Sequence, residues 1–239
     1  MTSTITVVIP AHNEGPRVGP VLDRLRARFP EFRLIVVDDG STDDTVTVAR
    51  QRGARVISHP YNMGNGATIK TGIRAAEGDV VVFMDADGQH DPDDIPRLLA
   101  PLDTGFDMAV GARNANSHAS IGRRIVNGIL SAVAGWMVGH PVPDLTSGFR
   151  AVRLRQAREF LHLLPNGFSY PTSLTMALYR SGYPLTFVPI EARRRSGRSH
   201  IRPIRDTLRF FLIIFRIGAL YSPLKFFVPA SAGLFTTGL

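Results

Sequence analysis

Short apolar runs alternate with amphipathic stretches over the first half of the chain. Ile5–Ile9 is a β-branched run closed by Pro10 and reads as a buried first strand. The turn PAHNEG follows, then a helical pattern from about Pro16 to Phe29, with Pro16 suited to a first helical turn. Leu34–Val37 predicts a second strand, after which Ser41 or Thr42 can cap a helix through Arg52. Arg55–Ser58 predicts a short third strand, Tyr61–Gly66 a glycine-bearing loop, and Ala67–Glu77 a helix. Val81–Met84 is apolar throughout, as expected of a strand covered on both faces. Asp91 or Asp93 starts another helix, and Asp107–Gly111 predicts a fifth strand.

The second half continues with a long helical pattern from Ala119 to Val138. Residues 141–150 (PVPDLTSGFR) read as a loop, and Val152–Leu164 as a helix. Residues 166–173 (NGFSYPTS) form a second loop ahead of a helix ending at Arg180. Leu185–Ile190 predicts a last strand, which Pro189 places at a sheet edge. Strand and helix in alternation predict an α/β fold with a mostly parallel central sheet, right-handed crossovers and helices on its flanks. Polar loops after strands one, two, four and five would then gather at the carboxyl edge, where open α/β sheets bind ligands. The first of these loops carries only Gly15, so it is not the dinucleotide fingerprint, and no strand is followed by a P-loop.

The C-terminal pattern differs. Ile204–Leu220 is apolar apart from Arg205, Asp206, Thr207, Arg209, Arg216 and Gly218. At ~100° per residue, Arg202, Arg205, Arg209 and Arg216 fall within about 60° of one another around a helix. A narrow basic stripe on a greasy helix fits the interface of an anionic bilayer; a buried helix with snorkelling arginines is the plainer alternative. Residues 224–239 form a further apolar stretch, shorter than the ~20 residues that cross a bilayer. A re-entrant segment and an incomplete membrane span both fit it.

Composition narrows the field. The 239 residues are 44% hydrophobic, enough for a substantial core, and the absence of cysteine excludes disulfides and thiolate metal sites. The net charge of +8 points to polyanionic partners, and eight of the arginines lie within residues 193–216. These border an apolar helix, and the basic loop holds few stacking aromatics, so lipid headgroups fit better than nucleic acid. Met1–Thr4 shows no basic region leading into an apolar run, and no signal peptide is expected.

The candidate chemistry centres on DADGQHDP, residues 85–92. Alternation along an extended chain points Asp85 and Asp87 to one side and Ala86 to the other. Two such carboxylates suit a hard divalent ion, Mg or Mn, with Gln89 adding a neutral oxygen; an ordinary solvated turn is the alternative. Asp39 fits either a nucleoside contact or a helix cap, and Glu14 either a ligand contact or a first-turn acid.

PAHNE, VVDDGSTD, NMGNGA, DADGQHDP, GAR and DLTSGFR, in this order, resemble the family 2 glycosyltransferases of the GT-A fold. FSYPTS, VPIEARRRSGRSH and the apolar tail resemble the polyprenyl-phosphate hexosyltransferase subgroup typified by dolichol-phosphate mannose synthase. The resemblance implies a catalytic domain over residues 1–200, an interfacial helix over 201–222 and an apolar membrane segment over 223–239. It implies that Pro10, His12, Glu14, Val37 and Asp39 hold the nucleoside of a nucleotide-diphosphate sugar such as GDP-mannose or UDP-glucose. Asp85, Asp87 and Gln89 would bind the metal that grips the diphosphate, and Ala86 would contact the nucleotide. Arg113 and Arg124 would hold phosphates, including that of a polyprenyl phosphate acceptor, with Arg123 a rival to Arg124. Arg194, Gly197 and Ser199 match an R-x-x-G-x-S-K pattern in which His200 replaces the usual lysine, and His12 stands where tyrosine is common.

The implied reaction is inverting displacement by a lipid phosphate at the membrane surface, with the active site on the cytoplasmic face. A phosphate monoester is already anionic at pH 7, so a strong base is dispensable. Asp144, a possible base where hydroxyls are the acceptors, is expected to orient or support instead. Two readings compete: transfer to a sugar hydroxyl in polysaccharide synthesis, and a nucleotide-sugar-binding membrane protein without turnover.

Overall fold

The computed structural model describes residues 3–113, 121–167, 169–191 and 223–238, together with residues 212, 215 and 219; side chains are described for all of these except 121–127, 225, 226 and 230. Seven strands form one sheet: β1 (Ile5–Ala11), β2 (Arg33–Asp38), β3 (Arg55–Ser58), β4 (Val80–Phe83), β5 (Met108–Arg113), β6 (Arg150–Arg153) and β7 (Leu185–Ile190). Their order is β3-β2-β1-β4-β6-β5-β7. All pairings are parallel except those of β6, which runs antiparallel to both neighbours. The expected mostly parallel sheet is present, and β7 with its Pro189 lies at the edge.

The helices are α1 (Gly15–Arg28), α2 (Thr45–Gln51), α3 (Asn65–Ala75), α4 (Ile95–Asp103), α5 (Ile121–Val138), α6 (Leu154–Glu159), α7 (Tyr170–Arg180) and α8 (Pro223–Thr237). Strand periodicity sorts the core into two layers. Val7, Ile9, Val36 and Val82 face α1 and α4, whereas Val8, Ile35, Val37, Val81 and Phe83 face α3, α6 and α7. Helix α1 follows from its apolar spacing: Val18, Val21, Leu22 and Leu25 are buried at i, i+3, i+4 and i+7. Leu22 and Leu25 are fully enclosed, and each contributes about 1.5–3 kcal/mol of transfer free energy. Arg26 and Arg28 close the helix where its dipole favours cations. A third cluster joins Leu130, Ala134 and Met137 of α5 to Val142, Leu145 and Met176.

Three local expectations are corrected. Strand β6 occupies the end of the expected 141–150 loop and the start of the expected Val152–Leu164 helix, which shrinks to α6 and a single 3-10 turn, Leu161–Leu163. Pairing on both sides, Val82↔Ala151 and Ala109↔Ala151, overrides a sequence whose flanking arginines disguise its strand character. Helix α7 starts at Tyr170, inside the expected 166–173 loop, with Ser169 at its N-cap in the left-handed region (φ 84°). Neither Ser41 nor Thr42 caps α2. Asp43 Oδ1 instead accepts from the Thr45 amide at 3.0 Å, while Ser41 Oγ accepts from the Asn13 amide at 2.9 Å.

The basic loop with Arg194, Ser199 and His200, and most of the expected 204–220 helix, lie outside the described residues. Leu212 and Phe215 are described, helical and exposed. Helix α8 is exposed at Leu224, Phe227, Val228, Leu234 and Phe235. Among the described residues no helix is long and apolar enough to cross a membrane.

Candidate active site

The carboxyl ends of β1, β2, β4 and β5 deliver the site. Because β6 is antiparallel, its amino end, and the loop 144–149 leading into it, arrive at the same edge. Strand β4 is buried over its whole length, and Met84 still bonds β1 through Val8 O at 3.1 Å. The chain then opens into Asp85-Ala86-Asp87. Ala86 is buried in the α1/α4 layer, while both aspartates are half-buried. Gly88 turns the chain at φ 75°, a conformation that costs a side-chain-bearing residue about 1 kcal/mol or more.

His90 locks this loop from below. Its Nδ1 accepts the Asp85 amide at 3.2 Å, which places the ring proton on Nε2. The ring is buried and stacks on Phe149 at 4.8 Å and 12°. Burial pushes its pKa down to about 4, outweighing the attraction of Asp87, so the ring is neutral at pH 7. Asp87 Oδ1 accepts the Gln89 amide at 3.0 Å. Gly148 lies against Asp85: a β-carbon there would stand 3.2 Å from Asp85 Oδ2 and 3.3 Å from the Tyr170 hydroxyl.

These groups fit a hard divalent ion. Two half-buried carboxylates and a carboxamide supply oxygen donors; the chain has no cysteine, and no nitrogen-rich set competes among the described residues. Among the described residues no three His, Asp or Glu gather closely enough to complete a coordination shell. Such a partial set matches Mg-type sites, in which one or two carboxylates are joined by water and substrate phosphate oxygens.

Arg113, at the end of β5, is engaged by Asp144. Its Nε donates to Asp144 Oδ2 at 2.8 Å and one terminal nitrogen donates to Oδ1 at 3.0 Å, a bidentate pair. The same nitrogen donates to Thr146 Oγ1 at 2.6 Å. Asp144 also accepts the amides of Thr146 (3.0 Å) and Ser147 (3.1 Å). Burial opposes its charge, but the guanidinium and these donors prevail and hold its pKa below the usual carboxylate range. Arg124 lies on α5 one residue past Arg123, and the side chains of both lie outside the described residues.

On the β1–β2 side, Pro10 and Val37 are register partners. His12 Nδ1 donates to Asp39 O at 2.9 Å. Asn13, left-handed at φ 55°, accepts the Thr42 amide through Oδ1 at 2.8 Å, stitching the two loops. Glu14 pairs with Arg17 at 2.6 Å. Asp39 does not cap the helix that follows it. Its Oδ1 accepts from His59 Nδ1 (2.8 Å) and the Met63 amide (2.8 Å), and Oδ2 accepts the Gly64 amide (2.8 Å). It therefore fixes the loop leading into α3, with unused lone pairs left on a side chain that is only 5% exposed.

Sequence reasoning brought Asp39, Asp85, Asp87 and Gln89 to one edge, and the structure places them there, with Arg113 at the carboxyl end of β5 on the same edge. It assigned no role to His90, Asn13, Thr146, Arg150 or Tyr170. His90, Arg150 and Tyr170 lie inside quoted motifs, yet their work is done beneath the surface of the site, which a linear pattern does not display.

Residues 6–157 match the family model Glycosyl transferase family 2. The chain is 33% identical to the uncharacterized glycosyltransferase Rv0539 of Mycobacterium tuberculosis, over 81% of this chain and 87% of that protein. It is 31% identical to the undecaprenyl-phosphate 4-deoxy-4-formamido-L-arabinose transferase of Pseudomonas savastanoi pv. phaseolicola, over 84% of this chain and 61% of that protein. Among solved structures it resembles glucosyl-3-phosphoglycerate synthase of Mycobacterium tuberculosis in complex with Mn2+, UDP and phosphoglyceric acid. The TM-score is 0.72 and the identity 26%, over 90% of this chain and 78% of that one. The seven-stranded, mostly parallel sheet flanked by helices is thus a GT-A fold, and the chain belongs to glycosyl transferase family 2.

Proposed function

We propose that the protein transfers a hexose from a nucleotide-diphosphate sugar to a polyprenyl phosphate, with inversion at the anomeric carbon. One observation carries this reading. Asp144, the acid that could serve as a base for a hydroxyl acceptor, accepts from Arg113 and two backbone amides and is held ionised below the usual range. A carboxylate so committed is a poor general base, because its proton affinity lies far from neutral pH. An acceptor that arrives already ionised does not need one.

Asp85, Asp87 and Gln89 would hold Mg or Mn. Held by these residues, such an ion would supply positive charge to offset that of the leaving nucleotide diphosphate. Arg113, presented on the frame of Asp144 and Thr146, and Arg124 would face the phosphates. Two anions held in line account for much of the barrier reduction through positioning alone. The named activity of the Pseudomonas relative on undecaprenyl phosphate supports the lipid acceptor. UDP in the structural neighbours makes UDP-glucose the first donor to test, beside GDP-mannose.

The arginines of 193–216 and the exposed apolar residues of α8 support a place on an anionic membrane. Basic segments beside a membrane are retained on the cytoplasmic side, where the active site would then lie. A second reading, transfer to a hydroxyl of a small phosphorylated acid, draws support from the phosphoglyceric acid bound in the structural neighbour.

The test offers a panel of nucleotide sugars, Mn or Mg and a short polyprenyl phosphate. The expected result is a glycolipid from one donor whose anomeric configuration, read by NMR, is opposite to that donor's. Retention of configuration would refute the displacement, and no glycolipid from any donor would refute the acceptor.

A further inference from the structure

Arg150 is a fully buried cation at the amino end of β6, and among the described residues no carboxylate is paired with it. Its partners are uncharged: Ser147 O, Pro171 O at 3.0 Å, Thr175 Oγ1 at 3.2 Å and Met108 Sδ at 3.9 Å. Its Nε has no partner. Guanidinium stays protonated in proteins, and a buried charge without a counter-charge is costly. Burial lowers its pKa; Tyr170, then Asp144 and Asp85, work against this, and the two carboxylates belong to the site.

The path from Arg150 to the site is short. Its guanidinium lies over the Tyr170 ring, 5.8 Å from the centroid. The Tyr170 hydroxyl donates to Gly148 O at 3.1 Å, and Gly148 packs against the Asp85 carboxylate. Asp144 is already matched by Arg113. Asp85 lies at the end of this path, and its charge acts on Arg150.

We propose that Arg150 is a positioning residue whose fixed positive charge behind Asp85 biases the site toward the nucleotide diphosphate and against the bare divalent ion. The inference rests on the metal–diphosphate reading of Asp85 and Asp87. A cation beneath the site repels an incoming dication and attracts a polyanion, and in the interior such interactions are weakly screened. The ion is then held firmly only when the nucleotide comes with it.

The test separates a field from a scaffold by sign. Mn2+ binding alone is followed by EPR, and UDP or GDP binding at saturating Mn2+ by calorimetry, without turnover. Arg150→Met keeps the stem and removes the charge. It should tighten Mn2+ several-fold and weaken the nucleotide roughly tenfold. Arg150→Lys should fall between wild type and Arg150→Met on both, because a buried ammonium keeps its proton less firmly than a guanidinium. If Arg150→Met does not fold, as judged by circular dichroism, Thr175→Asp decides. It sets a carboxylate on the guanidinium, cancels the field, and should move both affinities the same two ways. Loss of both affinities together, or no change in either, would overturn the inference while wild-type binding stands. Wild-type protein that binds neither nucleotide would refute the underlying reading and this inference with it.

Discussion

Asp144 and Arg113 meet through two parallel hydrogen bonds, Oδ2 with Nε at 2.8 Å and Oδ1 with a terminal nitrogen at 3.0 Å. The pair ties the loop before β6 to the end of β5, and Arg113 remains partly open to solvent. Asp144→Asn should therefore cost stability as well as rate, about 2 kcal/mol once the exposure of Arg113 is discounted. The folded pKa of Asp144 is lowered, so its stabilisation is present above the unfolded value of about 4 and is lost as pH falls through the folded value. Denaturant melts of wild type and variant should differ near pH 7 and converge in acid. A gap that persists unchanged in acid would contradict this account of the pair.

His90 gives a second pH dependence in a different window. Its folded pKa, about 4, lies below the ordinary 6.5. Between these values the unfolded chain takes up a proton that the folded chain refuses, so stability rises with pH across the window. The contribution is complete above about pH 6.5 and is lost on descent to about 4, on the order of 3 kcal/mol. His90→Asn should flatten that part of the stability curve. A wild-type curve already flat from 4 to 6.5 would show the ring to be protonated in place.

Asp87 presents a half-buried carboxylate while Ala86 beside it anchors the loop in the core. Asp87→Ala should leave the melting temperature within a few degrees and lower turnover by at least about a hundredfold. Near-normal turnover at saturating metal would remove Asp87 from the site.

Gly148 leaves room for Asp85 and the Tyr170 hydroxyl, both about one tight contact from where a β-carbon would sit. Gly148→Ala should displace the carboxylate by a few tenths of an ångström and weaken Mn2+ binding roughly tenfold, with little effect on fold. Unaltered Mn2+ binding would mean that the packing at Gly148 does not set the position of Asp85.

Much of this architecture is legible in the sequence because one signal dominates each element. The run at β1 is β-branched, those at Leu34–Val37 and β4 are apolar without interruption, and β3 and β7 fall where their β-branched residues and flanking breaks put them. Strand β6 is hidden because two of its four residues are arginines, and only pairing with β4 and β5 makes it a strand. The acids and Gln89 were visible as a strand-end motif. The supporting residues were not: Asp39 as a loop anchor, His90 as a neutral acceptor and Arg150 as an unmatched cation acquire those roles from partners as far as 59 residues away. Local pattern cannot encode such contacts, because their cost and benefit depend on burial.

The central claim is that the acceptor reaches the site already ionised. It is tested by offering the protein, with one active donor and Mn2+, a short polyprenyl phosphate, the matching polyprenol and 3-phosphoglycerate side by side, and measuring initial rates of sugar transfer. The account predicts glycolipid from the phosphate and no transfer above background to the alcohol. Transfer to the polyprenol or to phosphoglycerate at a rate equal to or above that of the polyprenyl phosphate would contradict it.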